Sequence, residues 1–399
     1  MKIPFAKRID DLGTETAFAV AAKAMAHAAK GNDVFPFHLG DMNLITPENV
    51  REAATKAMND GKTGYNPSYG IPQLREALAN DINRTHDTSY GMENVAIQPG
   101  GKPVISKFIL ALMNPGDEVL YPNPGYPIYE SQIEFHGGVA VPYGIVRGEN
   151  NFSLDIDELE KSITDKTKLL IVNDLHNPTG AECSVEDHKR LAELAVKHDL
   201  MVLVDEAYFE IRYEGESKSL VQQPGMVERS VLLYTFSKRF AMTGWRLGAA
   251  IGPQEIIDII AKINVNDESC SNHFIQYGAV EGLTGDQSGC QFILKTLNER
   301  RDKCVDLLNT IEGVHCYRPS TTFYLYPEVT GAMANKGFDD YEAFTGDILE
   351  KTGVSMCTRA HFGRPLPGEE SKYVRFAYSG IDVDRIEEGL GLLKQYLES

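Results

Sequence analysis

The chain of 399 residues predicts an α/β protein: a large unit with a mostly parallel seven-stranded sheet flanked by helices, followed by a smaller α+β unit. Three observations carry this. Seven short apolar runs recur, at residues 95–97, 118–121, 139–141, 169–172, 201–204, 231–235 and 247–251, each of strand length and rich in β-prone or small apolar side chains. Amphipathic stretches of helical length, at 102–113, 127–135, 184–198 and 255–263, alternate with several of them, the pattern of a sheet whose strands run mostly parallel. Beyond about residue 288 the texture changes to a long charged helix over 291–308, short strands around 323–326 and 374–377, and a final helix.

Taken in order, the alanine-rich segment 17–29 reads as a helix in water, because Lys23, His27 and Lys30 interrupt it and Gly31-Asn32 ends it. The sheet strands come next. In such sheets ligands sit beyond the carboxyl ends of strands, so the residues that follow each run carry the functional information. Gly100-Gly101 follows the first run, residues 173–180 the fourth, Asp205 the fifth and Lys238 the sixth.

Composition narrows the partners. A formal charge of −18 argues against nucleic acid or an anionic membrane, both of which need a basic surface. An anionic ligand must therefore be held by local cations and backbone dipoles. The six cysteines are scattered without metal-ligand spacing, so no metal site is expected and the thiols read as reduced. Lys2, Lys7 and Arg8 are followed by no apolar stretch fit for a signal peptide or a span, and a cytoplasmic protein is expected.

Ser237-Lys238, with Arg246 eight residues on, is the most telling segment. Lys238 falls in a short loop between two apolar runs. Partial burial and a neighbouring cation both disfavour an ammonium, which is how a lysine becomes an amine nucleophile near neutral pH. Gly100-Gly101-Lys102-Pro103 follows a strand and opens a helix, where glycines admit a phosphate to free N–H groups at the positive end of the helix dipole. Asp205, at a buried strand end, needs a cation or several donors, and a protonated pyridine nitrogen meets that need; a helix cap is the plainer alternative. Asn177 and Tyr208 can donate to a ring oxygen and Tyr126 can stack on an aromatic ring. Arg375, between apolar neighbours in a strand, requires an anion: a ligand carboxylate held bidentately, or an internal salt bridge.

Together and in this order, with Gly64-Tyr65-Asn66-Pro67-Ser68-Tyr69-Gly70, Asn114-Pro115-Gly116-Asp117 and Thr322-Phe323-Tyr324-Leu325, these residues make the chain resemble the class I and II aminotransferases from about Gly13 onward. These are fold type I enzymes dependent on pyridoxal 5′-phosphate, and the likeness is nearest the prokaryotic aspartate aminotransferase-like branch. The resemblance implies a cofactor-binding unit over 46–287 and a small unit made of 1–45 with 288–399. It implies that Lys238 holds the cofactor as an internal aldimine and later shuttles a proton, so that an amino group passes from an α-amino acid to a 2-oxo acid by way of pyridoxamine phosphate. Asp205 would keep the pyridine nitrogen protonated, Asn177 and Tyr208 would bond the phenolic oxygen, and Tyr126 would stack on the ring. Gly101, Lys102, Thr235, Ser237 and Arg246 would surround the phosphate, joined by Tyr65 from the second subunit of a homodimer. Arg375 would clamp the substrate α-carboxylate beside the backbone of Gly40 and the side chain of Asn177.

The chain departs from many relatives at His176, before the Asn-Pro pair, and at His361 in Arg359-Ala360-His361-Phe362-Gly363. Both bear on substrate range. Lys102 suggests acceptance of dicarboxylic substrates, while Glu15, in the segment implied to cover the substrate tail, opposes a second anion; a fairly broad enzyme is expected, using alanine or aromatic donors alongside glutamate and 2-oxoglutarate. Two rival readings remain at this stage. A fold type I lyase or decarboxylase shares the cofactor motifs, and a cofactor-sensing regulator would need a DNA-binding module that the sequence does not offer.

Overall fold

A computed structural model describes residues 3–13 and 16–399. Its centre is a seven-stranded sheet made of β1 (Val95–Gln98), β2 (Glu118–Pro122), β3 (Val139–Tyr143), β4 (Thr167–Val172), β5 (Met201–Asp205), β6 (Ser230–Thr235) and β7 (Gly248–Ile251). The order across the sheet is β1-β7-β6-β5-β4-β2-β3. All neighbours run parallel except β7, which is antiparallel to both β1 and β6. The central strands are buried on both faces: Leu169, Leu170, Ile171 and Val172 are at most 1 % exposed, as expected where helices cover both sides, whereas the edge strand β3 is exposed at Val139. One apolar cluster lies on each face of the sheet.

The helices begin where their sequences supply an end. Ser184 caps the helix Val185–Lys197 by accepting from the Asp187 N–H, and Asp187 returns a bond to the Ser184 N–H, an arrangement worth about 1 kcal/mol. Pro103 occupies the first turn of Lys102–Leu112, where its missing N–H costs nothing. The registry of β7 matters most for function. Gly248 lies opposite both Thr235 and Gln98, so the antiparallel strand starts at the edge where β1 and β6 end. That brings Gly100-Gly101 together with Ser237-Lys238 and Arg246, from two distant stretches of the chain.

A third cluster surrounds the strands Tyr324–Leu325, Cys357–Thr358 and Val374–Ala377 and the long helices Ser288–Leu308 and Val383–Leu397. Phe35–Pro36 pairs in parallel with Val354–Ser355, and Lys23 pairs with Glu342 at 2.6 Å. The N-terminal segment therefore packs against C-terminal elements. Two details differ from the sequence reading. Lys238 sits on a single helical turn, Phe236–Arg239, that starts at a Thr235 cap rather than in a loop. The helix His273–Thr284, like Glu48–Asn59 and Pro72–His86 against which it packs, had no counterpart among the expected elements.

Candidate active site

A cavity of about 540 Å³ opens at the carboxyl edge of the sheet. Gly40, Gly101, Lys102, Tyr126, Asn177 and Asp205 line one part of it, and Tyr208, Thr235, Ser237, Lys238, Arg246 and Arg375 line the rest. Every sequence-predicted site residue except Tyr65 is thus brought to one cavity. Tyr65 is 89 % exposed and stands outside the lining of its own chain's cavity. Glu15 lies outside the described residues.

Lys238 donates to the Gly40 carbonyl at 2.9 Å, and its ammonium lies 5.1 Å from the centre of the Phe323 ring and 5.8 Å from that of Tyr208. Gly40 is required here because a Cβ would collide with the Tyr324 hydroxyl. Its carbonyl faces the lysine. Asp205 ends β5 and is almost fully enclosed. Its Oδ2 accepts from the Tyr129 hydroxyl at 2.6 Å and its Oδ1 from the Ala207 N–H at 3.2 Å. Burial still lifts its pKa from 3.8 to about 6, against the lowering by those two donors and by Lys238. A buried carboxylate under that penalty is suited to a cationic partner.

At the far side, Arg375 is 4 % exposed, and among the described residues no carboxylate pairs with it. Its Nη1 donates to Asn177 Oδ1 at 3.0 Å and its Nη2 to the His38 carbonyl at 2.8 Å, while Nε is buried without a partner. Tyr324 and Phe362 lie against the guanidinium at 4.5 and 4.6 Å. Among the described residues, neutral acceptors thus stand where an internal salt bridge was the alternative. Because Asn177 accepts through Oδ1, its amide nitrogen is the end with protons to donate.

The anion end is built from backbone and hydroxyls. Lys102 opens an α-helix of 11 residues just after Gly100, whose φ of +105° only glycine adopts readily and over which the Arg246 guanidinium lies so closely that a Cβ would strike it. Thr235 Oγ1 lies 2.9 Å from Ser237 Oγ and accepts from the Ser237 N–H at 3.2 Å. Arg246, itself at φ +57°, donates to the Thr243 carbonyl at 2.9 Å. Hydroxyls, a helix start and an arginine converge there, which is how a phosphate is held in a protein of net negative charge. The residues present thus fit pyridoxal 5′-phosphate at three points: a cradle for its phosphate, an amine for its aldehyde and a buried carboxylate for its ring nitrogen.

Several contributors escaped the sequence reading. Tyr129, wholly buried, holds Asp205, and its place one helical turn after Tyr126 was the available signal. Asn173 donates to the Asp205 carbonyl at 2.9 Å and accepts from the Asn177 N–H at 2.9 Å, tying two site loops together. Tyr324 pairs its hydroxyl with that of Tyr208 at 2.8 Å. His176, which the sequence did single out for substrate range, is instead buried outside the cavity lining, bonded to Thr179 Oγ1 at 2.7 Å, with its pKa pulled by burial down to about 3, so it is a neutral ring within the loop. Where no metal site was expected, Asp174, Cys183 and His188 converge with their ligand atoms within 4.8 Å of one another. Asp174 already receives the Cys183 N–H at 2.7 Å and is bonded to His188 Nε2 at 2.6 Å, and the trio braces this loop against the helix Val185–Lys197.

Comparison with known proteins agrees with the geometry. Residues 32–393 match the family model of aminotransferase class I and II. An asparagine–oxo-acid transaminase of Streptococcus mutans is 32% identical over 98% of each chain, and a probable aspartate/prephenate aminotransferase of Aquifex aeolicus is 32% identical over the full length of both. The aspartate aminotransferase of Thermus thermophilus, solved with maleate, superposes with a TM-score of 0.90 at 31% identity, covering 99% of this chain and 100% of that one. The chain belongs to the class I and II aminotransferases, in the prokaryotic aspartate aminotransferase-like branch.

Proposed function

We propose that this transaminase carries pyridoxal 5′-phosphate covalently on Lys238 and moves amino groups between α-amino acids and 2-oxo acids, with Arg375 as the carboxylate clamp. One observation carries the reading: Arg375 is buried, faces the same cavity as Lys238 and keeps an unpartnered Nε with no carboxylate beside it among the described residues. Burying such a charge without an anion is costly, and a bidentate substrate carboxylate removes the cost. When bound, the cofactor supplies an electron sink for the bond broken at the substrate α-carbon. The protein's own groups do the rest. Lys238 holds and moves the α-proton, Asp205 keeps a proton on the ring nitrogen, and Asn177 and Tyr208 donate to the ring oxygen. Tyr126 stacks on the ring, while Gly101, Lys102, Thr235, Ser237 and Arg246 bind the phosphate.

Tyr65 completes that phosphate site from a second copy, which makes the working unit a homodimer; its exposure of 89 % leaves it available for such a contact. Residues 46–287 form the cofactor-binding unit, and 1–45 with 288–399 the second unit, a division supported by the pairing of Phe35–Pro36 with Val354–Ser355. The chain is assigned to the cytoplasm; among the described residues no helix is long and apolar enough to cross a membrane. Elimination and decarboxylation are not favoured, since the relatives are aminotransferases. The test is to mix the cofactor-loaded protein with single amino acids and follow its absorbance. Conversion to the aminated cofactor, reversed by a 2-oxo acid, supports transfer, whereas steady release of ammonia or carbon dioxide refutes it.

A further inference from the structure

His361 lines the cavity within the turn Arg359–Phe362, one residue before Phe362, which packs on Arg375. Its ring is fixed by the residue that caps this turn. The Thr358 N–H points at His361 Nδ1 at 3.0 Å, and Thr358 Oγ1 lies 2.8 Å from the same nitrogen. The Thr358 carbonyl also lies 3.3 Å from Nδ1, the longest of the three contacts and the one an Nδ1–H would need; the shorter contact from the Thr358 N–H requires Nδ1 as acceptor, which places the ring proton on Nε2. Burial, helped by the Arg375 and Lys23 charges, holds the pKa below its usual 6.5 against the opposing pull of the Thr358 carbonyl and Glu342. His361 is therefore a neutral ring with one donor. Among the described residues that donor has no hydrogen-bond partner, and it is not one of the enclosed orphan atoms, so it faces accessible space.

With the α-carboxylate on Arg375 and the α-carbon at Lys238, the substrate side chain is the part left to meet the remaining lining. We propose that His361 Nε2–H donates a hydrogen bond to a carbonyl oxygen on the substrate side chain, selecting amino acids that end in a carboxamide or carboxylate over apolar ones of equal size. This rests on the reading of Arg375 as the carboxylate clamp. The fixed tautomer gives the selection its direction, because a lone neutral donor matches an oxygen acceptor and offers nothing to a hydrocarbon.

The experiment uses the cofactor-loaded protein and three unreactive acids: succinamate, succinate and 4-methylpentanoate, the last a hydrocarbon of the same shape as succinamate. Binding is measured by calorimetry for the parent, His361→Ala and His361→Gln, alongside amino-group transfer from asparagine, aspartate and alanine. His361→Ala should weaken succinamate, succinate or both about tenfold, the scale of one hydrogen bond at a partly buried site, and leave 4-methylpentanoate and alanine within twofold. The arm that falls identifies the carboxamide or the carboxylate. His361→Gln, which retains a donor, should recover part of the loss. Equal weakening of all three acids, or none, overturns the proposal. Failure of the parent to bind any of the three would instead overturn Arg375 as the clamp, and failure to convert any amino acid would overturn the reaction itself.

Discussion

Asp205→Ala is expected to leave a chain that folds and takes up cofactor, yet completes the amino-acid half-reaction about 10²–10³-fold more slowly. The magnitude follows from the carboxylate's surroundings. Burial lifts its pKa from 3.8 to about 6, so above that pH the ionised group costs the cofactor-free chain about 3 kcal/mol. A cation in contact offsets this: at ~4 Å and an effective dielectric of ~20 the attraction is about 4 kcal/mol, equivalent to roughly 10³ in rate if it is expressed wholly in the chemical step. Some of it also serves cofactor binding, hence the lower bound.

The same substitution makes a stability prediction of definite sign. Because the folded pKa lies above the unfolded one, Asp205 favours the folded state most below about pH 4 and loses that contribution as the pH rises through about 6. Alanine abolishes this loss but strips the Tyr129 hydroxyl of its acceptor at 2.6 Å, at about 1–3 kcal/mol. At pH 8 the two effects roughly cancel; at pH 5 the Tyr129 cost is less fully offset, and the variant should be measurably weaker than its parent. Urea unfolding of the cofactor-free proteins at both pH values checks this, and single-turnover kinetics with saturating cofactor checks the rate. A half-reaction within threefold of the parent would refute the role of Asp205. A destabilisation equal at both pH values would refute the burial argument.

Borohydride reduction of the loaded protein should fix the cofactor to Lys238 and to no other lysine, as read by peptide mapping; label on Lys102 would overturn the assignment. Co-refolding Lys238→Ala with Tyr65→Ala should restore activity that neither has alone, because one site of each hybrid then holds its own Lys238 and the other copy's Tyr65; hybrids that stay as impaired as their parents would place Tyr65 with its own chain. His86→Ala breaks the buried contact of His86 Nε2 with Glu206 Oε2 at 2.6 Å and should cost about 3–5 kcal/mol in urea unfolding. The His86 pKa is raised above 6.5, so that support is complete below 6.5 and fades as pH rises through the raised value; the variant should lack this alkaline decline, and a parent with no decline would contradict the pairing.

The parts of this molecule legible in the sequence are those in which one residue type answers one physical demand. Apolar runs of strand length announced the sheet because its central strands are buried on both faces, and glycine before a helix, aspartate at a strand end and arginine inside a strand each pose an electrostatic or steric problem with few solutions. Tyr129 and Asn173 posed none. A tyrosine on an apolar helix face reads as core, and only the registry of β5 against its neighbours reveals that its hydroxyl meets Asp205. The helical turn that carries Lys238 was hidden for a related reason: four residues are too few to show a period, and the Thr235 cap that starts the turn looks in sequence like the end of a strand.

Net charge and local field also separate in this structure. At −18 the protein as a whole repels anions, yet both ends of its cavity are prepared to bind them. This works because the preparation is short-ranged. Salt screens charges beyond about 10 Å at 0.1 M, whereas a helix start, two hydroxyls and Arg246 act at contact distance, and Arg375 acts from a dry site where neutral acceptors orient it without consuming its charge. Asp205 is the converse case, a buried anion awaiting a cation. Since among the described residues neither Arg375 nor Asp205 has an ion pair, the cavity carries two opposite electrostatic demands across one span. A ligand set that is cationic at the ring nitrogen and anionic at the α-carboxylate satisfies both at once, which is why cofactor and substrate should each stabilise this chain.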